Sequence, residues 1–176
     1  LVTTVDYHPD CKTVLSGSLD GSLRLWDVSD GMDSLPCGEE CRLVLTGHGD
    51  EIWSAVFSPD GAQFASAGVG GLLRIWRTSN GDCLHRLEGH SDRLWSVAFH
   101  PDGHRLASGG EDRTIRFWQV SDGKCLQALN GYTNWFKSIA WSPDGQSLIT
   151  ASRDAQIRVW AFDRQTCLHQ LSGHTK

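Results

Sequence analysis

The chain has 176 residues, eight of them tryptophan, and a formal net charge of −5. That length and apolar content suffice for one ordinary domain with a core, and no basic run interleaves with the aromatic residues. We therefore expect no nucleic-acid partner. No apolar run approaches the ~18 residues that a membrane helix needs, so we expect no membrane partner either. No signal peptide is evident, although Leu1 is not an initiator methionine.

The most informative feature of the sequence is an internal repeat. Three kinds of residue return every 42 positions: Gly47-His48, Gly89-His90, Gly131-Tyr132 and Gly173-His174; Trp76, Trp118 and Trp160; Cys41, Cys83, Cys125 and Cys167. A period in the low forties, built from short strand-like pieces, is typical of a propeller blade. We expect units at approximately 1–46, 47–88, 89–130 and 131–172, with a further repeat starting at 173–176.

The first unit begins inside its first strand and departs from the others at two places. Pro9-Asp10 aligns with Pro59-Asp60, but Cys11 stands where the other units have glycine. A non-glycine residue at positive φ costs on the order of 1 kcal/mol. Trp26 and Trp76 are 50 residues apart, which places eight extra residues within Ser29–Glu40. This acidic insertion is either a solvated loop or a recognition loop, and we expect it to project from the face opposite the binding face described below.

The third unit shows the strand pattern most clearly. Residues 95–99, 105–108, 114–118 and 125–129 are rich in β-formers and are separated by turn residues, including Pro101-Asp102-Gly103. Helical periodicity is absent. The pattern predicts four short antiparallel strands per unit and an all-β fold. The second unit has Gly70 where Asp20, Asp112 and Asp154 stand, and the fourth has Tyr132 and Thr150 in place of histidine and serine.

Six cysteines raise the question of disulfides or a metal. Four of them share one repeat position, and equivalent positions in successive blades do not face each other. We interpret these four as small buried hydrophobic residues of a reduced compartment, which predicts a cytoplasmic protein. Only Cys37 and Cys41 are closely spaced, and two ligands do not make a zinc site. We expect no metal and no cofactor.

Four recurring polar residues have complementary hydrogen-bonding capacities. The Trp118 indole only donates, ionised Asp112 only accepts, and Ser108 and neutral His90 do both. A chain from Trp to Ser to His to Asp therefore satisfies every group. The partial sets in the other units are His48, Ser66 and Trp76; Thr150, Asp154 and Trp160; and Ser16, Asp20 and Trp26.

The same residue types occur in serine hydrolases, so a catalytic interpretation must be weighed. The Ser108 hydroxyl would be engaged by Trp118, the set recurs in several units, and no strained G-x-S-x-G turn presents a nucleophile. We therefore predict that these residues are structural and that none is catalytic.

These motifs resemble a known family. Gly-His, then Trp-Ser-Val-Ala-Phe-x-Pro-Asp-Gly, Leu-Ala-Ser-Gly-Gly-x-Asp and Ile-Arg-Phe-Trp are similar to WD40 repeats over essentially the whole chain, although the name-giving dipeptide occurs only as Trp26-Asp27. The resemblance implies a β-propeller of four-stranded blades, usually seven to a ring, which serves as an interaction platform without catalysis. By analogy, the regularity of the units is also similar to bacterial multi-domain regulators, in which such arrays follow a nucleotide-dependent switch or kinase module.

The resemblance also implies a binding face, at the Gly-His loops and the Asp turns. Its variable positions are Glu51, Trp53 and Val69; Arg93, Trp95 and Glu111; Trp135, Lys137 and Arg153. We expect an aromatic and cationic surface that suits an acidic or aromatic-bearing peptide, because exposed aromatics beside Arg and Lys are typical of binding hot spots. The alternative is that these tryptophans pack over the ring edge and bind nothing.

The predicted function is a non-catalytic protein–protein interaction scaffold, the sensor or binding part of a multi-domain regulatory protein in signalling. The alternative is a propeller-based hydrolase with a site in the central channel. The first strands offer mostly apolar residues there, with Asp6 and His8 as the exceptions, which favours the scaffold. Four units alone would expose two apolar blade flanks, so we expect further blades in the same chain or another copy.

Overall fold

The strands of the protein form four separate four-stranded antiparallel sheets. The computed structural model describes residues 1–29, 41–130, 134–163 and 166–175. The four sheets, in chain order, consist of β1 (Val2–Tyr7), β2 (Thr13–Ser18), β3 (Leu23–Asp27) and β4 (Cys41–Leu45); β5 (Ile52–Phe57), β6 (Gln63–Gly68), β7 (Leu73–Arg77) and β8 (Cys83–Leu87); β9 (Leu94–Phe99), β10 (Arg105–Gly110), β11 (Ile115–Gln119) and β12 (Cys125–Leu129); β13 (Phe136–Trp141), β14 (Ser147–Ser152), β15 (Ile157–Ala161) and β16 (Thr166–Leu171). We call these sheets blades 1 to 4.

Each blade is a meander in which consecutive strands pair. The turn between the first two strands has the predicted left-handed residue in every blade, with φ of 71° at Gly61, 72° at Gly103 and 70° at Gly145. Cys11 adopts the same conformation, with φ of 58°. The one helical element of the described residues is a 3₁₀ turn at Val69–Gly71. Within those residues, none of the helical structure is long and apolar enough to cross a membrane.

The blades are stacked side by side as an arc of a propeller. The first strands β1, β5, β9 and β13 are neighbours in that order, whereas no fourth strand has comparable contact with the next fourth strand. The first strands therefore lie on the inside of the arc and the fourth strands on the outside. Apolar residues fill the spaces between the sheets, for example Leu25, Ile52 and Phe64 between blades 1 and 2. The ring is not closed by these four blades.

Side-chain hydroxyls join the inner strands to each other. The backbone N–H groups of Ala55, Val97 and Ile139 donate to hydroxyls of the preceding blade, at 3.2, 3.2 and 3.1 Å. Those hydroxyls belong to Thr4, Ser54 and Ser96. Because adjacent first strands do not pair as a sheet, this ladder supplies partners for inner backbone groups and fixes the angle between blades.

The cysteines at the recurring position were predicted to be buried, but they lie on the outer surface of the arc. Cys83, Cys125 and Cys167 are exposed and Cys41 is half-buried, and all of them are free thiols. Each one lies at the first or second position of the fourth strand of its blade, which is the edge of the sheet and has no strand on its far side. The repeat position was identified correctly, but its burial was not, because the repeat alone does not tell how far the outermost strand is covered.

Apolar side chains are exposed at both ends of the arc. On β1, Val2, Val5 and Tyr7 are 61%, 68% and 65% exposed, and every residue of β16 is exposed. In the interior of the arc the corresponding flanks are covered by the next blade. Exposed apolar patches of this kind indicate an interaction surface.

Candidate functional site

The predicted chain of polar groups is complete in blade 3. The Trp118 indole N–H donates to Ser108 Oγ at 2.8 Å, and Ser108 Oγ lies 2.7 Å from His90 Nε2. His90 Nδ1 lies 2.7 Å from Asp112 Oδ2. Asp112 also accepts from the backbone N–H and the hydroxyl of Thr114, at 3.1 and 3.0 Å. The chain connects the loop before β9 to the turn between β10 and β11.

Only the first link of this chain is common to all four blades. The tryptophan N–H donates to a hydroxyl at 2.8, 2.8, 2.8 and 3.0 Å in blades 1 to 4, in the pairs Trp26–Ser16, Trp76–Ser66, Trp118–Ser108 and Trp160–Thr150. In blade 1, Asp20 accepts from the backbone and hydroxyl of Ser22. In blade 4, Asp154 pairs with Arg158 at 2.7 Å, and Tyr132 lies outside the described residues. The histidine–aspartate link therefore occurs in the described residues only in blade 3.

Blade 2 differs from the predicted set at His48. Its side chain is fully buried, and neither ring nitrogen has a hydrogen-bond partner among the described residues. We expected His48 to lack its carboxylate because Gly70 replaces aspartate; in the structure His48 also makes no bond to the Ser66 hydroxyl, which accepts from Trp76. Burial lowers the pKa of His48 to about 4, so the ring is neutral at pH 7.

The predicted contact positions come together in pairs at one edge of the blades. The backbone N–H of Val69 donates to the carbonyl of Glu51 at 3.1 Å, that of Glu111 to Arg93 at 2.8 Å, and that of Arg153 to Trp135 at 3.0 Å. These bonds place the residue before each turn aspartate beside the loop that enters the first strand. We call this edge of the arc the upper face.

A β-bulge explains where the largest side chains of this face lie. Each first strand has a register shift near its start, and the residue left without a paired partner is Thr3, Trp53, Trp95 or Lys137. A bulge residue takes no part in the ladder and is turned away from the sheet. Trp53, Trp95 and Lys137 are therefore structural equivalents, whereas Trp135 corresponds to Arg93. The 42-residue interval shows the same equivalence in the sequence, because it leads from Trp95 to Lys137 and from Arg93 to Trp135.

Aromatic and cationic side chains alternate across this face. The rings of Trp53 and Trp95 lie 4.6 Å apart, and the Arg93 guanidinium lies 5.6 Å and 5.4 Å from their centroids. Lys137 Nζ lies 3.1 Å from the centroid of Trp95, and the Arg153 guanidinium lies 4.6 Å from that of Trp135. Distances of this size are favourable for cation–π attraction.

Trp53, Trp95 and Trp135 are half-buried. The sequence had predicted exposed aromatic side chains at these positions. The Trp95 indole N–H donates to Glu111 Oε1 at 3.1 Å, and Arg93 lies 3.7 Å from the same oxygen. Partial burial lowers the pKa of Lys137, although the Glu111 carboxylate acts in the opposite direction. The result is a pre-ordered surface with an aromatic base and three cationic side chains, Arg93, Lys137 and Arg153, held against it.

The family is decided by the repeats themselves. A model described as WD domain, G-beta repeat, matches residues 2–27, 39–77, 81–119 and 123–161. The chain belongs to the WD40 repeat family. WD40 repeats are in general scaffolds for protein–protein interactions and in general have no enzymatic activity.

Several curated WD40 proteins are similar to part of the chain. Coronin-7 from Homo sapiens is 37% identical over 81 residues, which cover 46% of this chain and 8% of the relative. Transcription initiation factor TFIID subunit 5 from Caenorhabditis elegans is 35% identical over 75 residues, 43% of this chain and 10% of the relative. Small ribosomal subunit protein RACK1y from Oryza sativa is 31% identical over 80 residues, which cover 46% of this chain and 21% of the relative. These matches span a small part of each relative.

The polar residues that could belong to a hydrolase site, Asp6, His8 and Ser108, make structural contacts or are buried. Asp6 accepts from the backbone N–H of Phe57 at 2.7 Å, and His8 Nε2 lies 3.1 Å from the carbonyl oxygen of Gly61. Ser108 is fully buried. Among the described residues no group of three His, Cys, Asp or Glu could hold a metal ion. Both exceptions on the first strands thus contribute to contacts between blades 1 and 2.

Proposed function

We propose that the chain is a non-catalytic scaffold that binds an acidic or aromatic-bearing peptide segment of a protein partner on its upper face. The observation that carries the proposal is the alternation of tryptophan and cation there, with Arg93 between the rings of Trp53 and Trp95 and Lys137 over Trp95. A pre-ordered aromatic and cationic surface loses little side-chain entropy when it binds.

The charge of the face favours an acidic partner. Arg93, Lys137 and Arg153 contribute three positive charges, and Glu111 is already engaged by Trp95 and Arg93. An incoming carboxylate would contact cations whose guanidinium and ammonium groups are held in place by the rings. Aromatic side chains would add contact with the exposed half of the tryptophans.

The wider role that we propose is the binding part of a multi-domain regulatory protein in the cytoplasm. Free exposed cysteines are typical of a reducing compartment. The exposed flanks of blade 1 and blade 4 favour packing against further WD40 blades, from the same chain or from another copy. Net negative charge without a basic stripe supports a protein partner rather than nucleic acid.

The test is to select peptides that bind the full protein from a random library, and to measure their affinity for variants. Trp95→Ala combined with Trp135→Ala should weaken binding by more than about 2 kcal/mol, because both rings support a cation of the face. Trp95→Phe, which keeps an apolar ring at the bulge, serves as a variant with a smaller effect on folding.

A matched control removes eight residues from the acidic insertion, most of which lies outside the described residues. It follows β3 and precedes β4 in the chain, whereas the upper face is formed by the loops before the first strands and the turns between the second and third strands. We therefore expect its deletion to leave peptide affinity unchanged. If the tryptophan variants bind as well as the unmodified protein, or if affinity follows only the folded fraction, the proposal is wrong.

A further inference from the structure

The upper turn of blade 2 lacks both acidic residues of the turn in blade 3. Val69 and Gly70 occupy the positions of Glu111 and Asp112. The equivalence is geometric as well, because Val69 and Glu111 make the same backbone bond to the loop before the first strand, at 3.1 and 2.8 Å. Blade 2 therefore has no carboxylate at two places where blade 3 has one.

In blade 3 these two carboxylates are the acceptors for two donors. Glu111 Oε1 accepts from the Trp95 indole N–H at 3.1 Å, and Asp112 Oδ2 lies 2.7 Å from His90 Nδ1. Both donors are thus satisfied inside the blade.

In blade 2 the corresponding donors are present but have no acceptor. Trp53 Nε1 and both ring nitrogens of His48 are buried, and none makes a hydrogen bond of good geometry among the described residues. The backbone of Ser66 and Asp50 is near enough to His48 to raise its pKa in part, but it supplies no well-formed bond. Arg93 Nε, beside the Trp53 ring, is also buried and unpartnered. An unsatisfied buried polar group costs about 1–3 kcal/mol, so a ligand that supplies acceptors here gains that free energy. Two independent groups indicate the same missing ligand chemistry.

Open space beside Gly70 allows such a ligand to approach the turn. Gly70 is exposed, and a Cβ built on it would meet no atom within 4 Å. Gly70 and Gly71 both adopt positive φ, 69° and 75°. Gly71 is buried, and a Cβ on it would lie 2.3 Å from the His90 carbonyl oxygen, so the open approach to the turn is on the side of Gly70.

We propose that the upper turn of blade 2 binds two carboxylate side chains of an acidic partner segment, which accept hydrogen bonds from His48 and Trp53 as Asp112 and Glu111 do from His90 and Trp95 in blade 3. The inference rests on the proposed function, because it specifies one contact of the peptide that binds the upper face. Asp50 and Glu51 belong to the loop that is bonded to this turn, and their negative charge opposes every anion, most strongly a highly charged one. The Arg93 guanidinium beside Trp53 acts in the opposite direction and favours a carboxylate.

The test uses the full protein labelled with 5-fluorotryptophan and the dipeptide Ac-Glu-Asp-NH2, which has the side chains of the missing turn. Trp53→Phe assigns the Trp53 fluorine resonance. We expect this resonance to shift and saturate at millimolar dipeptide, and the amide analogue Ac-Gln-Asn-NH2 to have no such effect. Absence of a shift at Trp53, or an equal shift with the amide dipeptide, would overturn the proposal.

A variant that carries its own carboxylates supplies the second arm. Val69→Glu combined with Gly70→Asp should reduce dipeptide affinity by about tenfold or more, since the site is then occupied internally. Leu19→Glu adds one negative charge beside Asp20, so that blade 1 has the same Glu-Asp pair as the double variant, and it should leave affinity unchanged. If the double variant does not fold, the pKa of His48 in the unmodified protein is measured with and without the dipeptide. A bound carboxylate must raise this pKa, and an unchanged pKa at saturation contradicts the proposal.

The two proposals fail in different ways. Peptide binding that depends on Trp95 and Trp135 but not on the double variant would leave the proposed function standing and refute the carboxylate site. A saturable dipeptide response at Trp53, together with peptide binding that does not depend on Trp95 and Trp135, would support the carboxylate site and refute the proposed function.

Discussion

Replacement of Asp112 by alanine is the sharpest test of the polar chain in blade 3. The Asp112 side chain is 3% exposed and that of His90 is fully buried. The substitution leaves the imidazole without its acceptor, at a cost of about 1–3 kcal/mol, and removes the bonds from Thr114, worth about 1 kcal/mol more. We expect the free energy of unfolding to fall by about 2–4 kcal/mol in total.

The pH dependence gives the same prediction a second readout. Burial on its own would raise the pKa of Asp112, but hydrogen bonds from His90 and Thr114 outweigh it and lower the pKa below the ordinary 3.8. A carboxyl whose folded pKa is depressed stabilises the fold above its unfolded pKa and loses that contribution as pH falls through the folded value. The difference between the two proteins should therefore be constant near neutral pH and shrink below about pH 4.

The assay is urea unfolding of the full protein followed by tryptophan fluorescence, with the slope of the transition checked for a common value. Asp154→Ala is the matched control, because Asp154 pairs with Arg158, whose side chain is 16% exposed, and leaves no buried histidine behind. Its cost should be about 1 kcal/mol. Equal losses at positions 112 and 154, or no loss at 112, would refute the idea that the polar chain holds this turn.

Gly70→Asp, which restores the missing carboxylate in blade 2, shows why position matters. A new bond to His48 should contribute about 0.5–1.5 kcal/mol. Gly70 however has φ of 69°, whereas Asp112 is not among the residues with positive φ. Strain of about 1 kcal/mol offsets most of the gain, so the net change should be close to zero. A gain equal in size to the Asp112→Ala loss would contradict this.

Three further predictions concern single positions, each measured by urea unfolding. Gly61→Ala should cost about 1–3 kcal/mol more than Gly103→Ala, although φ is nearly the same at the two positions. A Cβ at 61 would lie 2.1 Å from His8 Nε2, whereas one at 103 would lie 3.9 Å from its nearest neighbour. Equal costs would exclude the clash. Cys11→Gly should stabilise blade 1 by up to about 1 kcal/mol by removing the strain at φ of 58°, and a loss would show that the thiol contributes more than the strain costs. Because burial lowers the pKa of His48 to about 4, stability should decline by about 3 kcal/mol as pH falls from 6.5 to 4, and Gly70→Asp should make that decline shallower; an unchanged slope would mean that His48 is not its source.

The repeat allowed much of the fold to be predicted. A fixed interval specifies that each unit has the same strands, and the turn residues locate their ends. The prediction for the third unit therefore matches its strands within two residues, and Cys125–Leu129 is confirmed as the fourth strand. Trp118, Ser108, His90 and Asp112 could be connected in advance because each has a fixed capacity to donate or accept.

Other features depend on geometry that residue types do not encode. Burial of the cysteines was predicted wrongly, because it depends on what covers the fourth strand. The replacement of one aspartate did not reveal that the His48 ring would also lack a bond to Ser66, or that Val69–Gly71 would form a 3₁₀ turn with two left-handed glycines. The sequence gives only one sign of the bulge at Trp53 and Trp95, which is that Lys137 occupies the same repeat position as Trp95.

The positions that vary between blades have a physical property in common. The bulge residue is outside the hydrogen-bonded ladder, and the residue before the turn aspartate contributes only its backbone N–H to the frame. A side chain at either place can change without breaking a bond that the blade requires. The tryptophan and the hydroxyl, by contrast, are bonded to each other in every blade. The same scaffold can therefore present tryptophan in one blade and lysine in another, and the upper face acquires its specificity at positions where substitution costs the fold least.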